Sequence, residues 1–142
     1  MESWNQTAFS VICYDCAEQF LTVSDLGAFQ HISYDQIKEK THIATLRDEA
    51  DDLVGLARLY ESDQYNNIAI SFLEVTKPGN RFGLLMLKKL FDYASDKALS
   101  KKTDIFVTAD GFTEAGKIAL LPELIRLGKK SPRVSFGMIH GC

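Results

Sequence analysis

Three segments in the middle of the chain carry the hydrophobic patterns of neighbouring β-strands. Residues Thr41–Arg47 alternate apolar and polar side chains, the acidic segment Asp48–Asp52 follows, and Leu53–Tyr60 resumes the apolar pattern. This arrangement predicts an antiparallel hairpin. A polar turn at Ser62–Asn66 then precedes Asn67–Val75, which is apolar or small at nearly every position, as in a central strand covered on both faces. The pattern therefore predicts a hairpin that leads into a buried strand.

A long amphipathic helix is predicted after the buried strand. The segment Lys77–Asn80 breaks the strand, and from Arg81 onward apolar residues recur at three- and four-residue steps. These apolar positions are Leu84, Leu87, Phe91, Ala94 and Ala98. The opposite face of the helix is predicted to be solvated, with a basic docking patch as the alternative. Its charged positions are Lys88, Lys89, Asp92, Asp96 and Lys97.

A further strand, helix and strand are predicted to follow the long helix. Residues Thr103–Ala109 have a strand pattern, and Glu114–Leu127 have a helical one. Within this helix, Pro122 is predicted to start a second short segment, because proline suits the first position of a helix. Gly128 is predicted to end the helix. The weak alternation of Arg133–His140 predicts a last strand.

The first forty residues give weaker patterns. Ala8–Tyr14 is rich in β-branched and aromatic residues and predicts a strand, while Asp15–Leu21 and Tyr34–Lys40 predict short helices with a turn around Gly27 between them. The complete order is β, α, α, β, β, β, α, β, α, β. Since no repeat, low-complexity tract or linker interrupts the chain, we expect a single domain over residues 1–142.

Composition and charge exclude several classes of protein. The chain has 142 residues, of which 46% are apolar, so it can bury a core without disulfides or a structural metal. The formal net charge of −3 argues against a surface committed to nucleic acid or anionic lipid. No apolar run approaches the roughly 20 residues of a membrane span, and Met1–Thr7 lacks the basic residues of a signal peptide. We therefore expect a cytoplasmic protein with no membrane and no nucleic-acid partner.

The three cysteines are expected to be reduced thiols, since nothing in the sequence indicates export. Cys13 and Cys16 have the two-residue gap of a zinc ligand pair, and His140 and Cys142 offer two further ligands. The second pair has irregular spacing, and Cys13 lies within an apparent strand, where it is interpreted as a small core residue. We therefore predict no metal site.

Two segments, Leu53–Tyr60 and Leu73–Leu90, combine a hairpin strand, a buried strand, a glycine-containing turn and the start of a long helix. In this order they resemble the third strand and the acyl-CoA motif of the GNAT N-acetyltransferase superfamily. The resemblance extends over about Thr41–Gly137. It implies an α/β (α+β) fold with a mixed central sheet and helices on both faces. It also implies acetyl-CoA as co-substrate and an amine as acceptor.

The turn and helix start after the buried strand form a candidate anion site. N–H groups at a helix start have no partner within the helix and lie at the positive end of its dipole, and glycines let a phosphate approach the backbone. Arg81 adds a charged donor. The resemblance implies that this corner holds the CoA pyrophosphate, with an ordinary tight turn at Pro78–Asn80 as the alternative. The predicted cofactor-binding residues are Val75, Thr76, Gly79, Asn80, Arg81, Phe82, Gly83 and Leu84.

The corner departs from the family's motif, which has Arg or Gln, two residues, Gly, one residue and then Gly or Ala. When the chain is aligned with the motif on the helix, Gly83 takes the position of the motif's last glycine and Arg81 that of its first glycine. The turn is then shorter than in the family. Alignment on Val75 makes Gly83 the first glycine and puts Leu85 at the second. We favour the alignment on the helix because it keeps the apolar face of the helix in the core.

Acyl transfer from a thioester to an amine needs a neutral amine, a polarised carbonyl and a proton returned to sulfur. The resemblance implies that a backbone N–H around Glu74, Val75 or Thr76 polarises the carbonyl. Glu74 is the only carboxylate on that strand and is the candidate base, with a solvated or ion-paired residue as the alternative.

The proton donor to sulfur is less clearly marked. Many members of the family use a tyrosine in the helix after the fifth strand, and this chain has Leu124 at that place. Tyr93, on the long helix, is the candidate acid, and Tyr60 and Tyr65 are the alternatives. For each of these tyrosines, the competing interpretation is a role in packing alone.

Two functions follow from these features. The first is transfer of an acetyl group from acetyl-CoA to an amine of a small molecule, peptide or protein. The alternative is a GNAT-like binding or regulatory protein without catalysis, which the divergent turn and the missing tyrosine favour. The last predicted strand, with Val134, Phe136 and Met138, leaves a sheet edge that predicts a homodimer.

Overall fold

A computed structural model describes residues 7–13, 21–27, 29, 42–62, 64–76, 81–109 and 114–138. Six strands and three helices lie within these ranges. They are β1 (Ala8–Cys13), α1 (Val23–Leu26), β2 (His42–Arg47), β3 (Leu53–Ser62), β4 (Asn67–Val75), α2 (Phe82–Lys101), β5 (Ile105–Ala109), α3 (Glu114–Lys130) and β6 (Val134–Met138). Each strand predicted from the sequence is present, and the two long helices begin within one residue of their predicted starts.

The strands form one six-stranded sheet in the order β1-β2-β3-β4-β5-β6. Strands β1 to β4 are antiparallel, whereas β4, β5 and β6 are parallel. The predicted mixed sheet is confirmed. Both parallel connections, through α2 and α3, advance in the same direction across the sheet, and both helices pack on the same face. On the opposite face, α1 and its flanking residues pack against β2 and β3.

The core is divided by the sheet. On the α2 face, side chains from α2 and α3 pack against β2 to β6, and Leu87, Phe91, Ala94 and Ala98 are buried as predicted. Leu84, the remaining predicted core position of α2, is half-buried. On the α1 face, a smaller cluster joins the α1 region to β2 and β3. Its buried members are Leu21, Leu26, Phe29, Ile43, Leu53 and Leu56.

Helix α1 was not predicted, although a local signal for it exists. Thr22 Oγ1 accepts a hydrogen bond from the Asp25 N–H at 2.9 Å, and the Asp25 carboxylate accepts one from the Thr22 N–H at 3.0 Å. This reciprocal pair is a capping box with Asp in the place of Glu. Gly27 lies in the predicted turn. Of the helices predicted at Asp15–Leu21 and Tyr34–Lys40, residues 15–20 and 34–40 lie outside the described residues.

Two predictions for α3 are wrong. The helix continues through Pro122, which is exposed to solvent, and past Gly128 to Lys130. A glycine that ends a helix adopts a positive φ, and Gly128 does not. An ideal Cβ on Gly128 would lie 2.7 Å from Cβ of Phe136 on β6. Gly128 therefore permits the close approach of α3 to β6.

Candidate functional site

Strands β4 and β5 separate part of the way along β4. The two strands pair from Asn67↔Phe106 to Ile70↔Ala109, where β5 ends. Beyond Ile70, β4 continues to Val75 and, among the described strands, pairs only with β3. A bulge leaves Ser71 without a residue opposite it on β3, since Arg58 is paired with Phe72 and Leu59 with Ile70. The end of β4 therefore has one side that β5 does not cover.

The backbone of this segment directs particular N–H groups to that side. The N–H of Thr76 donates to the carbonyl of Val54 at 3.0 Å, so it points to β3. N–H groups of an antiparallel pair alternate in direction, so the N–H of Glu74 also points to β3 and that of Val75 points away. Of the three N–H groups expected to polarise a carbonyl, the one on Val75 faces the side that β5 leaves uncovered.

Six residues separate the end of β4 at Val75 from the beginning of α2 at Phe82. Arg81 is its N-cap, with a left-handed φ of 63° and no side-chain hydrogen bond to the helix start. Such a conformation costs a non-glycine residue roughly 1 kcal/mol and often marks a functional position. The first bond of the helix runs from the Leu85 N–H to the Arg81 carbonyl at 3.1 Å. The N–H groups of Phe82, Gly83 and Leu84 therefore have no partner within the helix.

The surroundings of the helix start are rich in positive charge. Glu123 of α3 accepts hydrogen bonds from Arg126, and this contact holds the pKa of Glu123 below its ordinary value despite some burial. The charges of Lys130 and Arg81 lower that pKa further. Arg126 is thus paired with Glu123, and Arg81 and Lys130 lie close enough to favour its charged form. Gly79 and Asn80, the other predicted members of the corner, lie outside the described residues.

Glu74 and Tyr93 lie on opposite faces of the sheet. Val75 packs against the cluster on the α2 face, so the neighbouring Glu74 faces the α1 side, where Phe72 packs. Tyr93 is on α2, eleven residues and roughly 16 Å along the axis from Phe82. The structure therefore does not bring Tyr93 together with Glu74, and their catalytic roles stay predictions. Leu124, at the place of the family's tyrosine, is fully buried in the core.

The hydroxyl of Tyr93 belongs to a cluster that the sequence did not predict. It donates to the two carboxylate oxygens of Glu61 on β3, at 2.8 and 3.1 Å. Lys97 forms an ion pair with the same carboxylate, and Nδ1 of His42 lies 3.5 Å from it. The side chain of Glu61 is only 4% exposed, against 25% for Lys97 and 41% for His42. We call these four residues the Glu61 cluster.

The Glu61 cluster corrects one prediction. Lys97 was assigned to the solvated face of α2, but it is half-buried and paired with Glu61. A glutamate near the end of a strand gives no sequence signal of burial. The register of β3 with β2 and the position of α2 above it enclose the carboxylate.

Within the described ranges, no group of three His, Cys, Asp or Glu side chains is arranged to hold a metal ion. Of the four residues considered for zinc, only Cys13 is described, and Cys16, His140 and Cys142 lie outside the described residues. No helix in the described part of the chain is long and apolar enough to cross a membrane.

Two solved structures with a similar fold are named as acetyltransferases. One is a proposed acetyltransferase from Deinococcus radiodurans R1, with a TM-score of 0.57 and 15% identity over 90% of this chain and 85% of that one. Another is an aminoglycoside acetyltransferase from an uncultured soil metagenomic sample, in complex with trehalose, with a TM-score of 0.56 and 10% identity. That match covers 84% of this chain and 88% of the other.

No protein-family model matches the chain, and no curated protein is significantly similar to it in sequence. The likeness therefore lies in the structure. The mixed six-stranded sheet with its helices shares its fold with these two structures.

Proposed function

We propose that this protein transfers an acetyl group from acetyl-CoA to an amine. The observation that carries the proposal is the separation of β4 from β5 after Ile70, together with the start of α2, where the first N–H groups have no partner within the helix. A thioester needs a hydrogen-bond donor at its carbonyl, and a pyrophosphate needs several donors and positive charge. The end of β4 offers donors of the first kind and the start of α2 offers donors of the second.

The start of α2 suits the pyrophosphate of the co-substrate. The N–H groups of Phe82, Gly83 and Leu84 are directed out of the helix at the positive end of its dipole. Arg81 is exposed beside them, and its charge lowers the pKa of Glu123 on α3. A charge-assisted bond from a guanidinium to a phosphate is stronger than a neutral one. Gly79 and Asn80 stay predicted members of this site.

The chemical step is assigned to the end of β4. The N–H of Val75 would donate to the thioester carbonyl as negative charge develops on its oxygen. Glu74 would accept one proton from the substrate ammonium, directly or through water, on the α1 side of the sheet, and so leave a neutral amine. The amine nitrogen would then bond to the carbonyl carbon and lose its second proton, the carbon–sulfur bond would break, and the thiolate would take up a proton. The hydroxyl of Tyr93 is committed to Glu61, so we assign this last proton to no residue.

A GNAT-like protein that binds without catalysis is the second candidate. Leu124 is buried where the family's tyrosine is expected, and no described tyrosine lies at the end of β4 where the acetyl group would react. Tyr60 and Tyr65 are both exposed, but they lie near the beginning of β4, at the opposite end from Val75. Turnover of an amine separates the two candidates.

Calorimetric titration of acetyl-CoA tests the site. The informative pair is Gly83→Glu and Gly83→Gln, because the two side chains have nearly the same shape and differ in charge. An ideal Cβ on Gly83 lies 3.5 Å from Leu120, an ordinary contact, so both variants are expected to fold. We expect Gly83→Glu to weaken binding at least tenfold relative to Gly83→Gln, since one repelled phosphate charge is worth about 1.4 kcal/mol or more.

Two outcomes would contradict the proposal. Equal affinities of the two variants would show that no phosphate binds at the start of α2. No heat with acetyl-CoA or free CoA for the unaltered protein would show that acetyl-CoA is not its co-substrate. Saturable binding without acetylation across a panel of amines would favour the non-catalytic candidate.

A further inference from the structure

A cleft lies between β1, the outermost strand at one edge of the sheet, and helix α2. Its volume is about 480 Å³, within the roughly 300–1,000 Å³ of small-molecule sites. Phe9, Ser10 and Val11 form the wall on β1. Lys89, Asp92, Tyr93 and Asp96 form the wall on α2. The β1 wall thus carries two apolar side chains and one hydroxyl, and the α2 wall carries the charges.

The charges in the cleft favour a cation near its Asp96 end. Two carboxylates, on Asp92 and Asp96, stand against the single ammonium of Lys89. Lys89 and Asp96 are seven residues apart, which is roughly 10 Å along the helix axis, so the positive charge lies at the opposite end. Asp92 has an exposed pair with Lys88 at 3.5 Å, an arrangement that holds a carboxylate only weakly. Asp96 makes no ion pair within the described residues.

The aromatic rings in the cleft suit the same kind of ligand. Phe9 and Tyr93 line it from opposite walls. Tyr93 has a fixed orientation because its hydroxyl donates to the buried carboxylate of Glu61 at 2.8 Å. A hydrogen bond to a carboxylate also increases the electron density of the phenol ring. Aromatic faces attract alkylated ammonium groups, and nearby carboxylates add to that attraction.

We propose that this cleft binds a small organic cation, in the form of a substituted ammonium group on a short apolar body. The cleft borders β1, three strands away from β4, and opens on the face of the sheet opposite to Glu74. It is therefore separate from the acetyl-transfer site, and the inference does not depend on the proposed function.

Choline chloride and its neutral isostere 3,3-dimethylbutan-1-ol test the proposal. The two probes have nearly the same shape, and only choline carries a charge. In NMR titrations at constant ionic strength, we expect saturable binding of choline and shifts of the Phe9, Val11 and Tyr93 amides. The isostere is expected to bind about tenfold more weakly, the factor of a desolvated cation–π contact. Equal binding of the two probes, or no saturable binding of choline, would overturn the proposal.

Three variants locate the binding to this cleft. Asp96→Asn removes one exposed carboxylate of the cleft, and Asp52→Asn makes the same change in the exposed turn before β3. We expect choline to bind severalfold more weakly to the first variant and unchanged to the second. Tyr93→Phe keeps the ring but removes the hydrogen bond that orients it, so choline is expected to bind severalfold more weakly to this variant as well. Equal effects of Asp96→Asn and Asp52→Asn would show a general charge effect and would contradict a site in the cleft.

Discussion

The start of helix α2 presents backbone groups to its surroundings, whereas its later turns present side chains. At its start, the groups available to a ligand are backbone N–H groups, and Gly83 contributes mainly by its small size. Three turns further on, Tyr93 and Lys97 engage the carboxylate of Glu61 through their side chains. Backbone donors exist whatever the side chains are, whereas a buried carboxylate depends on each partner. Changes at the start should therefore affect ligand binding, and changes in the Glu61 cluster should affect stability.

Replacement of Glu61 is expected to have the largest effect on stability. Glu61→Leu leaves Lys97 half-buried without its carboxylate and the hydroxyl of Tyr93 without its acceptor. Loss of one partner of a buried ion pair costs several kcal/mol, and the partial exposure of Lys97 reduces this to about 3 kcal/mol. Urea unfolding measures the change. The acetyl-CoA affinity proposed for the start of α2 should not change.

The matched control is Glu123→Leu, which removes the carboxylate from the more exposed pair with Arg126. An exposed pair contributes less than about 1 kcal/mol. If Glu61→Leu costs no more than Glu123→Leu, the Glu61 cluster does not stabilise the fold.

Alanine substitution at two helical glycines separates a ligand site from a packing contact. At Gly128 a Cβ would lie 2.7 Å from Phe136, so Gly128→Ala should destabilise the protein by about 2 kcal/mol through overpacking. At Gly83 the nearest contact is 3.5 Å, and Gly83→Ala should stabilise by about 0.5 kcal/mol through helix propensity. Thermal and urea unfolding measure both changes. A loss of stability in Gly83→Ala would mean that Gly83 is required for packing rather than for access to a ligand.

Gly128 also shows where sequence reasoning reaches its limit. The bounds of β4 and the start of α2 follow from patterns that are local in the sequence, and both were predicted. The sequence alone does not distinguish a glycine that ends a helix from a glycine that lets a strand approach closely. At Gly128 only the neighbouring Phe136 distinguishes the two roles. The direction of the Val75 N–H likewise depends on the bond between Thr76 and Val54, and not on any residue type.

The Glu61 cluster was missed for a related reason. Glu61, Tyr93 and Lys97 are each ordinary surface residues by their local pattern, and their meeting depends on how α2 lies over β3. The start of α2 was predictable because it is contiguous in the sequence. The cluster joins residues more than thirty positions apart.

Tyr93→Phe tests whether the hydroxyl has a structural or a catalytic role. Loss of a hydrogen bond to a charged acceptor is expected to cost about 1.5 kcal/mol in the free energy of unfolding, because Lys97 still pairs with Glu61. Acetyl transfer, measured as kcat with the best amine found, should change less than about threefold, because this hydroxyl is not assigned to the reaction. A loss of about 100-fold in kcat without loss of stability would instead support the predicted acid role.

The smallest predicted effect concerns the ion pair that joins α1 to the sheet. Arg47 donates to the Asp25 carboxylate at 3.1 Å, and both side chains are about one-fifth exposed. Burial by itself would raise the pKa of Asp25, but the hydrogen bond and charge of Arg47 and the bonds from Thr22 hold it below the ordinary 3.8. A carboxyl with a lowered pKa in the folded state stabilises the protein above its ordinary pKa, and this contribution disappears as the pH falls through the folded value.

We therefore expect Asp25→Asn to reduce the free energy of unfolding at pH 7 by about 1 kcal/mol or less, because this pair is less enclosed than Glu61. Urea unfolding of both proteins between pH 7 and acid pH should give a difference that is constant above the ordinary pKa and shrinks below it. The ionisation of Asp25 is then the cause. A difference that stays constant down to pH 2 would show that the ionisation of Asp25 is not the cause.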